Sequence, residues 1–291
     1  MRVQAFVDLL SESCLAFSVD PFTRNDQKAS ADILKVVRRG DLVVRDPGYS
    51  CLSVFGRLTE AGVNLLSRLR NGTGIFDADG EPIDLLSRLE RHGRMDAPVL
   101  LGAAKIPVRL IAVKVPEAVA AERRRKARAN RDRRLNHSPR YMRLLGWQIL
   151  VTTVPPEKLG PDEAVKVYSL RWRIETLFKA WKSHFAFGAV PKRASAEFVG
   201  VLILAALLYV AFFQCVFLNL QEKNSRSQPA VSPLKLASLI QNLTAYEFRL
   251  ILDQLSEADF IRHTLYHCRY DKRRRPNHFQ IISDLSLISL G

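Results

Sequence analysis

Cysteine is scarce in this chain, and several familiar sequence signals are missing. The four cysteines among 291 residues, Cys14, Cys51, Cys215 and Cys268, have no paired spacing, so neither a disulfide framework nor a zinc ribbon is indicated. No glycine-rich phosphate loop of the P-loop type occurs, which argues against nucleotide hydrolysis. Residues 1–11 have no apolar run behind a basic start, so no secretory signal is indicated and we expect a cytoplasmic protein.

Acidic residues are also outnumbered by basic ones. The chain has 44 Lys and Arg against 29 Asp and Glu, a net charge of +15, which favours a polyanionic partner such as nucleic acid or an anionic membrane. The basic residues are concentrated at 123–134 and at 272–275. The first run lies inside the chain and favours DNA contact, with Arg124 and Arg125 as candidates. A solvated or disordered basic segment is the alternative.

A short β-rich run, Leu42 to Arg45, ends in Asp46, which Pro47 and Gly48 follow. An aspartate at the end of a strand and before a Pro-Gly turn projects into the crevice where strands finish. Asp46 is therefore a candidate metal ligand. An ordinary turn aspartate is the alternative, because Asp-Pro-Gly is a common turn sequence.

A polar stripe is predicted on a helix over residues 168–182. At about 100° per residue, Tyr168, Arg171, Glu175 and Lys182 fall within roughly 60° of arc. Glu175 is a candidate Mg²⁺ ligand, and the other three are candidate phosphate contacts. An exposed helix face with internal ion pairs is the alternative. Two further basic residues of the same segment are candidate DNA contacts, namely Arg173 and Lys179.

This stripe resembles the signature of the IS4 family of DDE transposases, which runs Tyr, two residues, Arg, three residues, Glu, six residues, Lys. Tyr168, Arg171, Glu175 and Lys182 match it without a gap. Asp46, after a hydrophobic strand and before Pro-Gly-Tyr, resembles the second catalytic aspartate of the family. The resemblance implies that Asp46 and Glu175 ligate Mg²⁺ or Mn²⁺ and are catalytic.

The same resemblance implies an activity and its partners. IS4-type enzymes cleave DNA with water and then transfer the strand, as a 3′-hydroxyl attacks a phosphodiester. They resolve the second strand through a DNA hairpin. The implied partners are double-stranded DNA, in the form of terminal inverted repeats and target DNA, and a second copy of the chain on paired ends. We therefore expect a bacterial, nucleoid-associated enzyme of the cytoplasm, with no membrane partner.

The resemblance also implies the fold: an α/β protein with an RNase H-like, retroviral integrase-like core, a β-rich insertion and a helical C-terminal part. The chain itself predicts strands at 3–9, 15–19, 42–45, within 99–115 and at 147–154, and a helix over 31–37. The expected regions are the first part of the core at 1–70, the insertion with its basic segment at 71–160, the second part of the core with the catalytic helix at 161–220, and a helical basic region at 221–291.

Only two of the three expected carboxylates are found. Counting strands back from Asp46 leaves none for the first, so we expect the first catalytic aspartate to be missing by truncation. Asp8 and Asp26 are interpreted as a turn residue and a helix cap. The alternatives are an inactive DNA-binding remnant, an RNase H-like nuclease without strand transfer, and a membrane-associated protein anchored by residues 198–220. For that apolar segment a buried helix is favoured over a membrane span.

Overall fold

The computed structural model describes residues 2–11, 13–20, 23–130, 137–184, 194–224, 230–244 and 253–270, together with positions 247, 249, 281, 282 and 285. Contacts divide the chain into two units. The first unit is Met1–Gln4, Ser18–Arg171 and Ser283–Gly291, and the second is Ala5–Phe17 and Trp172–Ile282.

The strands are β1 (Arg2–Val7), β2 (Cys14–Asp20), β3 (Leu42–Arg45), β4 (Asn64–Arg68), β5 (Ile75–Phe76), β6 (Met95–Leu101), β7 (Ile106–Lys114) and β8 (Trp147–Thr152). The α-helices are α1 (Leu52–Glu60), α2 (Leu85–His92), α3 (Glu117–Ala129), α4 (Pro139–Leu144), α5 (Pro161–Ser169), α6 (Trp172–His184), α7 (Ala196–Lys223), α8 (Pro233–Asn242) and α9 (Glu257–Cys268). Two 3₁₀ helices cover Lys28–Lys35 and Pro47–Tyr49. The predicted α/β class is confirmed, and each predicted strand is present, with a turn between β6 and β7.

The first unit is built on a six-stranded mixed sheet in the order β3-β4-β8-β7-β6-β5. The pair β3 and β4 is parallel, and the other pairs are antiparallel. Because α1 connects β3 to β4, the parallel pairing has the crossover helix that it requires. Strands β6, β7 and β8 lie within residues 71–160, and they pair directly into the sheet that carries β3. The region boundaries at 70, 160 and 220 stay a prediction.

Helices cover both faces of this sheet. On one face, Phe55 of α1 and Leu89 of α2 pack against Leu65 of β4, and all three are almost completely buried. On the other face lie the buried Leu66, together with α5 and α3. Strand β8 is buried along its whole length, as expected for a strand with helices on both sides. The sheet therefore provides a rigid base, and its strand ends carry the polar residues described below.

The core of the second unit surrounds Trp181 of α6. Its ring lies 5.5 Å from that of Phe17 and 5.2 Å from that of Phe178, measured between centroids. Phe213 and Phe217 of α7 complete the aromatic part of this core, and both are 1% exposed or less. Aromatic pairs at these distances stabilise a core beyond the area they bury.

Helix α7 is only partly buried, which differs from the expectation of a buried helix over 198–220. Only one of its faces is buried, and the other exposes large apolar side chains such as Leu204 (63% exposed) and Leu208 (72% exposed). The apolar residues of α7 run all round the helix, so packing on one side cannot cover them. Among the described residues this is the one helix long and apolar enough to cross a membrane, a test that core helices also pass.

The thiols provide a first test of the packing. Burial raises the pKa of the half-buried Cys14 and of the buried Cys268 to about 11. Cys51 is also half-buried, and Cys215 is exposed. The thiolate is the reactive form, so at pH 8 only about one in a thousand of the Cys14 and Cys268 thiols is ionised. We expect Cys14 and Cys268 to react with a disulfide reagent at least about 100-fold more slowly than Cys215.

Raising the pH towards 11 should bring both slow thiols into reaction, because it crosses their folded-state pKa. The matched control carries Cys51→Ser and Cys215→Ser, and it should lose the fast phase of labelling followed by absorbance. Fast labelling of this double variant at pH 8 would contradict the assigned burial.

Candidate active site

Asp46 lies directly after β3 and begins a tight turn. Its backbone is still extended, and its Oδ1 accepts a hydrogen bond of 2.9 Å from the Gly48 amide. Pro47 fixes the backbone for the first position of this turn. The side chain is 43% exposed, so the carboxylate is available at the end of the strand while its local bond fixes its orientation.

Arg171 pairs with this carboxylate. Its Nη1 lies 3.1 Å from Asp46 Oδ2, and its side chain is only 15% exposed. The guanidinium carbon lies 5.8 Å from the centroid of the Tyr168 ring, which is within cation–π range. The structure therefore brings together three of the predicted site residues, Asp46, Tyr168 and Arg171.

The Tyr168 phenol is held in its neutral form. Burial has the largest effect and raises the pKa of the phenol. The positive charge of Arg171 lowers this pKa by a smaller amount, the Asp46 carboxylate raises it, and the positive charge of Arg68 lowers it. A neutral phenol donates a hydrogen bond, so Tyr168 can bind an anionic oxygen without bringing a negative charge of its own.

Arg68 was missed in the sequence. Strands β3 and β4 are parallel, and Arg45 opposite Ser67 is their last pair. Asp46 and Arg68 are the residues that follow this pair at the carboxyl ends of the two strands. Such strand ends are where ligands bind in open α/β sheets. The run NLLSR of β4 has no alternation that would identify a strand, so its last residue gave no signal.

A second carboxylate lies close to Asp46. A Cβ atom at Gly48 would meet Asp26 Oδ2 at 3.3 Å and Asp46 Oδ1 at 3.4 Å, so the missing side chain of Gly48 keeps open a space lined by oxygens of both. Carboxylate oxygens are the donors that Mg²⁺ prefers, so two candidate donor groups lie near each other at this end of β3. Among the described residues, no group of three or more His, Cys, Asp or Glu side chains could hold a metal. At the start of the 3₁₀ helix Lys28–Lys35, the side-chain oxygen of Asn25 accepts a hydrogen bond from the Lys28 amide.

The prediction of one continuous helix over 168–182 is wrong. Helix α5 ends at Ser169 and α6 begins at Trp172. The Ser169 hydroxyl donates to the Lys166 carbonyl at 2.6 Å, and the Leu170 amide bonds Val167 instead. A serine hydroxyl that bonds the helix backbone in this way competes with the helix. Tyr168 therefore belongs to the end of α5, Arg171 to the turn between the two helices, and Glu175 and Lys182 to α6.

Within α6, the polar candidates share one face. Lys179 and Lys182 follow Glu175 by four and seven residues, which places all three within about 60° of arc. Glu175 is half-buried and in the first turn, and both lysines are exposed. A carboxylate in the first turn is favoured by the positive end of the helix dipole.

Arg173 lies on the opposite, buried face of α6. Its side chain is 5% exposed, donates a hydrogen bond to the Tyr270 hydroxyl, and stacks at 5.8 Å over the Phe217 ring. This position corrects the prediction that Arg173 binds DNA, because a guanidinium enclosed by two aromatic side chains has no surface for a phosphate. We do not include it among the proposed DNA contacts.

The two arginines predicted on the basic helix are engaged with neighbouring acids. Arg124 pairs with Glu117 at 2.7 Å, and Arg125 forms a bidentate pair with Glu122 at 2.7 and 2.8 Å. The ion pair of Arg125 is exposed and contributes little to the free energy of unfolding, so this guanidinium can exchange its partner for a phosphate. Other members of the predicted basic clusters lie outside the described residues, namely Arg131, Arg133, Arg134 and residues 272–275.

The mixed sheet thus carries acidic and basic side chains together near the carboxyl ends of β3 and β4. Residues 1–211 match the family described as Transposase DDE domain, and the chain belongs to that family.

The chain is also similar to curated transposases. It is 25% identical to the transposase for insertion sequence element IS231E of Bacillus thuringiensis subsp. finitimus, across 96% of this chain and 63% of that protein. It is 28% identical to the IS231C transposase of subsp. berliner, across 64% and 43%, and 23% identical to the IS1151 transposase of Clostridium perfringens, across 86% and 58%. The chain thus spans less than two thirds of the length of these relatives.

Proposed function

We propose that the chain acts as an insertion-sequence transposase of the IS4 type, which cleaves and joins DNA at transposon ends. The observation that carries this proposal is the convergence of Asp46, Tyr168 and Arg171 at the carboxyl ends of β3 and β4 in a member of the DDE family. We further propose that the sheet of the first unit belongs to an RNase H-like core. The mixed sheet with helices on both faces supports this interpretation.

In this proposal Asp46 and Glu175 hold Mg²⁺ or Mn²⁺, and the exposure of the Asp46 carboxylate at the end of β3 supports the assignment of Asp46. When bound, the metal stabilises negative charge on phosphate oxygens and activates a hydroxyl or water. The contribution of the protein is to orient this chemistry. The Gly48 amide and Arg171 fix the Asp46 carboxylate until DNA arrives, and Arg171 can then exchange part of this pair for a phosphate oxygen.

The DNA contacts follow from charge and exposure. Tyr168 and Arg171 would hold the phosphate beside the cut, and Lys179 and Lys182 would contact the backbone from α6. Arg124 and Arg125 would extend the contact along α3. The net charge of +15 supports such a path, because each phosphate contact releases a counterion. We also propose a hairpin route for the second strand, a homodimer on paired ends, and a nucleoid-associated location.

The direct test uses labelled duplexes from the DNA that flanks the coding sequence. Mg²⁺-dependent cutting at the boundary, followed by joining to a plasmid, would support the proposal. Binding without cutting by the purified chain would favour the alternative function, an inactive DNA-binding protein. Absence of salt-dependent DNA binding would overturn both.

Arg171→Ala provides a more local test. We expect weaker DNA binding, with the slope of log affinity against log salt reduced by about one, because one phosphate contact is lost. Hairpin formation should fall with it. The matched control is Arg88→Ala, an exposed arginine of α2, which should keep the native slope in fluorescence anisotropy titrations. A native slope for Arg171→Ala would argue against a phosphate contact.

A further inference from the structure

One face of the sheet in the first unit brings two more arginines close to Tyr168. Arg68 of β4 is directly opposite Leu150 of β8, so both side chains project from the same face. Gln148, two residues before Leu150, projects from that face as well. Its Oε1 accepts a hydrogen bond of 2.5 Å from Arg123 Nη2, which comes from α3. Arg68 and Arg123 therefore approach the same part of the sheet from two different elements.

Arg68 is a half-buried cation, and its side chain makes no hydrogen bond or ion pair in the part of the chain that the structure describes. This is unusual for a guanidinium, which carries five donors. The neighbouring cations of the site are all engaged: Arg171 with Asp46, and Arg123 with the Trp147 carbonyl and Gln148. Among the described cations near Tyr168, Arg68 is thus one whose side-chain donors are available to a ligand.

The two guanidiniums also repel each other. The pKa of Arg123 is lowered, first by burial and then by the positive charge of Arg68. Like charges held close together cost free energy in a partly buried site. An anion bound between them removes this cost and gains charge-assisted hydrogen bonds. The Tyr168 phenol lies close enough to both arginines to interact electrostatically with each.

We propose that Arg68 and Arg123, with the Tyr168 hydroxyl, form a phosphate subsite that binds a backbone phosphodiester of DNA. The inference rests on the proposed function, since it assigns a specific contact of the same DNA substrate. Arg68 and Asp46 both follow the last β3–β4 pair, and both act electrostatically on the Tyr168 phenol, so the subsite holds a phosphate close to the candidate catalytic carboxylate. Arg68 and Arg123 are positioning residues: they hold the DNA strand and do not act on the bond that is cut.

The experiment measures the binding of the full chain to a 30-base-pair duplex by fluorescence anisotropy between roughly 50 and 300 mM salt, the range in which counterion release is resolved. Arg68→Met keeps the apolar stem and removes the charge. We expect its slope of log affinity against log salt to fall by about 0.9, and its affinity at 0.1 M salt to fall about eightfold. Arg123→Met should behave similarly, Arg68→Lys should keep most of the native slope, and Arg88→Met should be native.

A second readout separates a binding role from a structural one. Without DNA, Arg68→Met should melt at the native temperature or slightly above it, because it removes a repulsion and breaks no contact among the described residues. A clear loss of thermal stability, with the native salt slope retained, would mean that Arg68 supports the fold, and would overturn the subsite.

The remaining outcomes distinguish this inference from the proposed function. If the native chain binds with a steep salt slope and Arg68→Met keeps that slope, the subsite is wrong and the proposed function stands. If the native chain shows no salt-dependent binding, both fail. If inorganic phosphate at constant ionic strength stabilises the native chain but not Arg68→Met, and the DNA slope is unchanged, the subsite binds free phosphate, and the DNA assignment is overturned.

Discussion

In a full-length form that carries all three catalytic carboxylates, Glu175→Gln is expected to lower Mg²⁺-dependent DNA cleavage at least about 100-fold. Loss of a group that only supports a metal ligand typically costs less than this. The amide keeps the size of the side chain but lacks the charge that a carboxylate offers to a metal ion. DNA affinity should stay within about twofold, because neutralising an acid in a basic surface does not remove a phosphate contact. Asp46→Asn should give the same loss of cleavage.

The matched control for this prediction is Glu222→Gln, which changes an exposed glutamate of the second unit and should cut at the native rate. Because activity alone cannot separate metal binding from catalysis, Mn²⁺ affinity of the free chain should be measured by electron paramagnetic resonance. We expect it to fall for Asp46→Asn and Glu175→Gln and to be unchanged for Glu222→Gln. Native Mg²⁺-dependent cutting by Glu175→Gln would exclude it as a ligand.

Trp181→Ala is expected to have the largest effect on stability. Trp181 is 1% exposed and contacts the rings of Phe17 and Phe178, so its truncation leaves a large cavity. Replacing a buried aromatic residue by alanine typically lowers the free energy of unfolding by about 3–5 kcal/mol. This is a large fraction of the roughly 5–15 kcal/mol by which a domain is stable.

The same helix supplies the control. Trp172 is 64% exposed, and Trp172→Ala should change the free energy of unfolding by no more than about 0.5 kcal/mol. Urea denaturation followed by circular dichroism measures both variants. Equal destabilisation by the two substitutions would mean that α6 does not bury the face assigned to it.

The strands were predictable where local chemistry decides them. Residues 42–45 and 147–154 are rich in β-branched and aliphatic residues and are bounded by turns, and both appear as strands. The order of the sheet was not predictable. Strand β8 pairs with β4 although the chain between them runs through β5, β6 and β7, and such pairings depend on contacts far apart in the sequence. Arg68 was missed for the same reason, since its position close to Asp46 follows from pairing.

The site residues were predicted by spacing, and spacing assumes a continuous helix. Tyr168, Arg171 and Asp46 do converge. The helix, however, is interrupted after Ser169, whose hydroxyl donates a hydrogen bond to the Lys166 carbonyl. Arg173 shows a second limit. A charged residue is expected on a solvent face, yet the aromatic rings of Phe217 and Tyr270 enclose this one. No local pattern around residue 173 indicates residues so distant in the chain.

The pairing of β4 with β8 also dictates an order of events during synthesis. The Leu65 carbonyl of β4 accepts a bond from Thr152, 87 residues later. At about 5–20 residues per second a ribosome needs roughly 4–17 seconds to produce that stretch. Until then one edge of β4 has no partner strand and can capture another nascent chain. Early termination between β4 and β8 should therefore yield aggregating fragments rather than small folded ones.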